Sequence, residues 1–155
     1  DSPSVSGSEQ HALCCHNGPS LVFRHNNIRD ILGHSARAAG LAAVVIEKKN
    51  QIDGSKTKPG NITVQQYHRG FATSAFDVTI AHPLQKKFIE IAMEEAGVVV
   101  EEAHDRKLLK SLKECKDECI HFVPLAWSTG SATVCPRLFA SGLSWRALAE
   151  AILRI

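Results

Sequence analysis

Long apolar runs are missing from this sequence. No stretch approaches the roughly 18 apolar residues that a membrane-spanning helix needs, so no membrane partner is expected. Charge of one sign is also scarce. The net charge of 155 residues is only +2, too little for a bulk field to announce a polyanionic partner. The cysteines, Cys14, Cys15, Cys115, Cys119 and Cys135, are odd in number and follow no disulfide spacing, which points to a reducing, intracellular compartment. The N-terminus has neither a basic segment nor an apolar core of the secretory kind, so a secretory leader is not expected. No internal repeat is visible, which removes solenoids and propellers. The first residue is Asp rather than Met, as in a fragment or a processed piece.

What is present suits one domain with a hydrophobic core of its own. Residues 1–20 start with a small, polar run, Asp1 to Gln10, that reads as disordered. From Arg24 to Ala39, Ile28, Ile31, Leu32, Ala38 and Ala39 recur at helical spacing, and Gly40 is a stop signal. Leu41 to Ile46 is a short β-branched run and reads as a buried strand. Asn50 to Gly60 holds turn formers and lysines. Asn61 to Tyr67 alternates, with Ile62, Val64 and Gln66 against Thr63, Gln65 and Tyr67, as a second strand would. A turn over His68 to Ser74 leads to a third strand, Ala75 to Ala81, which His82-Pro83 terminates.

Leu84, Phe88, Ile91, Ala92 and Ala96 mark a helical face, with Gly97 as its stop. Glu101 to Cys119 predicts another helix, with Leu108, Leu112, Cys115 and Cys119 on one stripe as buried apolar residues. Ile120 to Trp127 is an apolar run whose Pro124 assigns it to a strand near an edge. Ser128 to Gly142 reads as a loop. Trp145, Leu148, Ile152 and Ile155 then fit a possible terminal helix. The order is helix, three strands, one or two helices, strand. Short connections make the first three strands antiparallel, and the last, reached through helices, parallel. The class is α/β, a mixed sheet with helices on its faces.

Three polar positions fall at or near the first three strands. Glu47 closes the first, Asn61 opens the second, and Asp77 lies within Phe76-Asp77-Val78-Thr79-Ile80. A charge inside an apolar strand is costly unless paired or bound to a metal. Neighbouring strands can bring all three to one sheet end, where carboxylate oxygens would suit Mg²⁺. Such an ion activates water and neutralises charge on a phosphodiester, and a nearby lysine adds to that. Asp77 is equally compatible with a solvent-facing position, and Glu47 with the flank of a lysine-rich turn. Lys48, Lys49, Lys56, Lys58 and Arg69, against only Glu47 and Asp53, form a locally basic segment compatible with phosphate contact or with a solvated loop.

Four motifs occur in order: Arg24-His25-Asn26, Glu47-Lys48-Lys49-Asn50, Lys58-Pro59-Gly60-Asn61-Ile62, and Asp77-Val78-Thr79-Ile80-Ala81-His82-Pro83-Leu84. This set resembles the endonuclease-type domain that follows the reverse transcriptase in non-LTR retrotransposons and related invertebrate open reading frames. That family belongs to the restriction-endonuclease-like PD-(D/E)xK superfamily. The resemblance spans about His11 to Trp127 and implies an endonuclease-like domain over 21–127 with a divergent extension over 128–155.

By that resemblance the activity is Mg²⁺-dependent nicking of DNA, in a nuclear setting, beside a reverse transcriptase domain of the same polyprotein. Glu47 and Asp77 match the acids. Asn61 stands where the family pattern has Asp, which implies impaired catalysis. Alternatively the chain is a catalytically inactive nucleic-acid-binding module, or a decayed fragment packed on a reverse transcriptase domain. Thr79 replaces the lysine expected two residues after the third-strand acid, with Lys49, Lys86 or Lys87 as substitutes. Arg24, His25, Lys48 and Lys58 are the implied phosphate contacts. Arg24 and His25 are equally compatible with plain polar residues opening the first helix. His11-Ala12-Leu13-Cys14-Cys15 resembles the end of a zinc knuckle. Only His11 and Cys15 match, with Cys14 or His16 as substitutes, and four ligands are needed. A complete zinc site is not expected.

Overall fold

The structure, a computed structural model, describes residues 19–41, 43–47, 58–82, 90 and 97–128. Two helices and a four-stranded mixed sheet make up these residues. The order is α1 (Pro19–Ala38), β1 (Val45–Ile46), β2 (Ile62–Gln65), β3 (Thr73–Ala81), α2 (Val98–Asp117) and β4 (Ile120–Ser128). The sheet runs β1-β2-β3-β4. β1, β2 and β3 pair antiparallel, and β4 joins β3 in parallel after the α2 crossover, as expected. Pro124 lies in the outer strand of this sheet, where a missing N–H is tolerated. Among the described residues no helix is long and apolar enough to cross a membrane.

α1 begins five residues before Arg24, with proline in its first turn where the absent N–H is harmless. Arg24 and His25 therefore lie inside the helix rather than at its opening. Its end is the predicted one. Gly40 takes φ +78°, Gly40 N–H donates to Arg37 O, and Leu41 N–H donates to Ala36 O, the bond pattern of a glycine-terminated helix.

β1 is much shorter than the expected Leu41–Ile46. The chain turns through Ala43 at φ +47° first, so Leu41 and Val44 enter the core from a turn instead of a strand. β2 stops at Gln65 because Gln66 adopts φ +53°. Its Ile62, Thr63 and Val64 are all buried, so the strand is covered on both faces and the expected alternation is lost. β3 starts two residues earlier than predicted.

Gly97 is the N-cap of α2 with φ −72°, not a left-handed helix stop. α2 ends at Asp117, and Cys119, at φ +53°, is exposed instead of buried on the helical stripe. Residues 50–57 of the expected loop, all of the expected helix over 84–96 but residue 90, which is helical, the His11/Cys15 remnant and the segment 129–155 lie outside the described residues.

Register assigns the faces. Ala75, Asp77 and Thr79 of β3 align with Phe122, Pro124 and Ala126 of β4, and Phe76, Val78 and Ile80 align with Val123, Leu125 and Trp127. α2 covers the first set: Cys115 packs with Ala75, Ile120 and Phe122. α1 lies across β1 and β3 and adds Leu32 to a core containing Ile62, Val64, Phe76, Val78 and Leu125. Each fully buried side chain of this size contributes about 1.5–3 kcal/mol relative to exposure.

Candidate functional site

The site forms because β3 outruns β2. The last β2–β3 pair is Ile62 with Phe76, while β3 continues to Ala81. Beyond that point, among the described residues, the β2-facing edge of β3 has no strand to bond. In a strand the N–H and C=O of one residue face the same neighbour, so Val78 presents both groups to the gap. Side chains fill it. Asn61 Oδ1 accepts Val78 N–H at 2.7 Å, and His25 Nε2 donates to Val78 O at 3.2 Å. Pro59 and Gly60, both buried, bring Asn61 in closely enough for its own N–H to donate to Phe76 O at 2.8 Å.

Glu47 arrives from the other side. Its N–H donates to Asn61 O at 2.7 Å, and the residue takes φ +59° as the chain leaves β1. The backbone at 47 and 61, just outside β1 and β2, thus comes beside residues 76–78 of β3 at one margin of the sheet. Their side chains divide into two groups. The Glu47 carboxylate accepts Asn61 Nδ2 at 3.3 Å and Arg29 Nη1 at 3.1 Å on Oε1, and Lys58 Nζ on Oε2. Asp77 turns to α2, where its Oδ2 meets Lys107 Nζ at 2.7 Å. Its side chain is only 13% exposed, so the buried charge expected in this strand is there, and its partner is a lysine.

The orientation of the Asn61 amide follows from its neighbours. Val78 N–H can only donate, and the Glu47 carboxylate can only accept. The oxygen must face the first and the nitrogen the second. The Asn61 oxygen is thus committed to the backbone of β3, and the nitrogen is what faces Glu47. Among the described residues no three of His, Cys, Asp and Glu gather into a group that could hold a metal ion. Mg²⁺ needs several oxygen ligands at about 2.0–2.1 Å. With Asn61 bound to the backbone and both acids matched by basic side chains, the residues present do not fit that ion.

Of the remaining expected contacts, Lys58 is at the site through Glu47, and His25 through Val78. Arg24 is half-buried, and its charge acts on His82. Lys48, Lys49, Lys86 and Lys87 lie outside the described residues. Two cations escaped the sequence reading. Arg29 follows His25 by four positions and shares its helix face. Lys107 follows the buried Ala103 by four and the buried His104 by three, so it projects toward the sheet. That spacing was the available signal.

Other titratable groups are structural. Burial, reinforced by Arg24, lowers the His82 pKa from 6.5. Burial, reinforced by His68, lowers that of His121, whose ring lies 4.1 Å from His68 at the far end of the sheet. Burial raises the Cys115 thiol to about 11, with Glu114 and Asp77 adding to the effect, which removes it as a nucleophile or ligand at neutral pH. Compared with protein-family models and with curated proteins, the chain gives no match.

Proposed function

We propose that this chain is an endonuclease-type domain of retroelement descent that binds DNA, and that its phosphodiester hydrolysis is impaired by the amide at position 61. The observation that carries the reading is the contact of Asn61 Nδ2 with Glu47 Oε1 at 3.3 Å, which joins two of the motif residues at one margin of the sheet. The order of helix, three antiparallel strands, helix and parallel strand supports it. So does the Asp77–Lys107 pair, which sets an acid and a cation beside that margin.

Supercoiled plasmid nicking tests it. Wild type is expected to stay at or near background in Mg²⁺. Asn61→Asp is expected to cut at least about tenfold faster, a change of about 1.4 kcal/mol in barrier, and Asn61→Asp/Asp77→Ala to fall back to background. If neither wild type nor Asn61→Asp nicks DNA in Mg²⁺ or Mn²⁺, hydrolytic descent is refuted. DNA affinity across salt then decides whether a binding module remains, since phosphate contacts give a steep salt slope.

A further inference from the structure

We infer that the cluster at Glu47 is metal-independent, with the Lys58 ammonium and the Asn61 amide standing where a divalent cation would otherwise balance the carboxylate, and that position 61 alone decides between the two states. The inference rests on the proposed function only for assigning positions 47, 61 and 77 to one site.

The atoms make the case. An aspartate at position 61 would keep one oxygen on Val78 N–H and turn its second toward Glu47 Oε1, where the amide nitrogen now lies 3.3 Å away. Two carboxylates in contact repel unless a cation lies between them. Asparagine replaces the second oxygen with a donor. The repulsion becomes a hydrogen bond, and the requirement for an ion disappears. Arg29 and Lys58 complete the balance, one on each Glu47 oxygen, so the carboxylate has three donors and no orphaned charge. The backbone work of the residue is unchanged, because either side chain accepts Val78 N–H. The whole difference is one atom, nitrogen for oxygen, on the side of the amide that faces Glu47.

Binding of Mn²⁺, followed by the loss of the free-ion paramagnetic resonance signal and by thermal melts, tests this on the full chain. Wild type is expected to take up no Mn²⁺ at millimolar concentration, to melt at the same temperature with Mn²⁺ or chelator, and to behave identically as Glu47→Gln in its indifference to the ion. Asn61→Asp, with a wild-type circular dichroism spectrum, is expected to bind Mn²⁺ at least about tenfold more tightly than wild type and to gain melting temperature on its addition. Lys58→Met, which frees one Glu47 oxygen without changing position 61, is expected to remain indifferent. Mn²⁺ uptake by wild type that Glu47→Gln removes would overturn the inference, as would uptake by Lys58→Met or a folded Asn61→Asp that binds none. Should Asn61→Asp not fold, wild type, Glu47→Gln and Lys58→Met still decide. An Asn61→Asp that binds Mn²⁺ but never nicks DNA upholds this inference and sinks the endonuclease reading. A wild type that binds Mn²⁺ and nicks does the reverse.

Discussion

Gly60→Ala should cost about 2 kcal/mol of stability, and a steric conflict with β3 should be its origin. Gly60 is buried and its φ is not in the left-handed region, so no conformational freedom peculiar to glycine is involved. A Cβ there would lie 2.8 Å from Phe76 O, 3.0 Å from Phe76 C and 3.1 Å from Phe76 N. All three atoms are backbone of β3, which is bonded to β2 and β4 and has nowhere to go. The segment carrying Asn61 must retreat instead. Overpacking of this kind costs about 1–3 kcal/mol. Losing the Asn61 N–H bond to Phe76 O adds about 1 kcal/mol. The stiffer unfolded chain returns about 0.4–1 kcal/mol. Gly33→Ala is the control. Its Cβ would lie 2.6 Å from Ile46 Cδ1 and 2.8 Å from Ile46 Cγ1, atoms of one side chain that can turn about its Cα–Cβ bond rather than backbone, and alanine in mid-helix is favoured by about 1 kcal/mol. It should stay within about 1 kcal/mol of wild type. Urea unfolding with unchanged m-values measures both. If Gly60→Ala matches wild type, or Gly33→Ala is the more damaging, the close approach of residue 60 to β3 is not what holds Asn61 in place.

Cysteine labelling should separate two neighbours: Cys119, exposed after the end of α2, should be alkylated rapidly at pH 8, while Cys115, buried with its thiol raised to about 11, should be protected until the protein unfolds, as read by peptide mass mapping. Stability should fall as pH drops below 6.5, because His82 and His121 have lowered folded-state pKa values and the unfolded chain binds their protons first; the contribution is whole above 6.5 and lost as pH falls through the folded values. Chemical denaturation at pH 7.5 and pH 5.5 checks this, and a double His82→Gln/His121→Gln variant that keeps the same pH dependence would assign the loss elsewhere.

The sheet was legible because its signals are local. Gly40 after a helical stripe, short links between β-branched runs and a long helical link before the last run were enough for the direction of the strands. The errors fall where tertiary contact overrides pattern. Val22 and Phe23 are exposed on α1, so the first turn of that helix shows no apolar periodicity and its start was placed at Arg24. Thr63 is buried beside Ile62 and Val64, which a period of two cannot announce. The left-handed turns at Ala43, Gln66 and Cys119 sit on residues that do not favour that conformation, so their sequence carries no warning. At the site, the contact of Glu47 with Asn61 followed from antiparallel pairing of the first two strands, whereas the expected convergence of Asp77 with them did not occur, its carboxylate turning to Lys107. The pairing of Glu47 with Arg29 and of Asp77 with Lys107 did not follow from strand pairing, because it depends on how each helix lies on the sheet.

That division explains how an amide persists at position 61. The fold asks of this residue one thing, an oxygen for Val78 N–H where β2 has ended, and an orphaned buried N–H there would cost about 1–3 kcal/mol. Asparagine and aspartate meet that demand equally, whereas alanine or leucine would not. Charge at the same residue answers a separate demand, set by Glu47 and whatever lies between the two side chains. Since Arg29 and Lys58 already satisfy Glu47, the second demand can lapse while the first still holds the residue to an oxygen acceptor. An aspartate at this position would leave the sheet bonds intact and differ from asparagine only on the side of the residue that the backbone does not use.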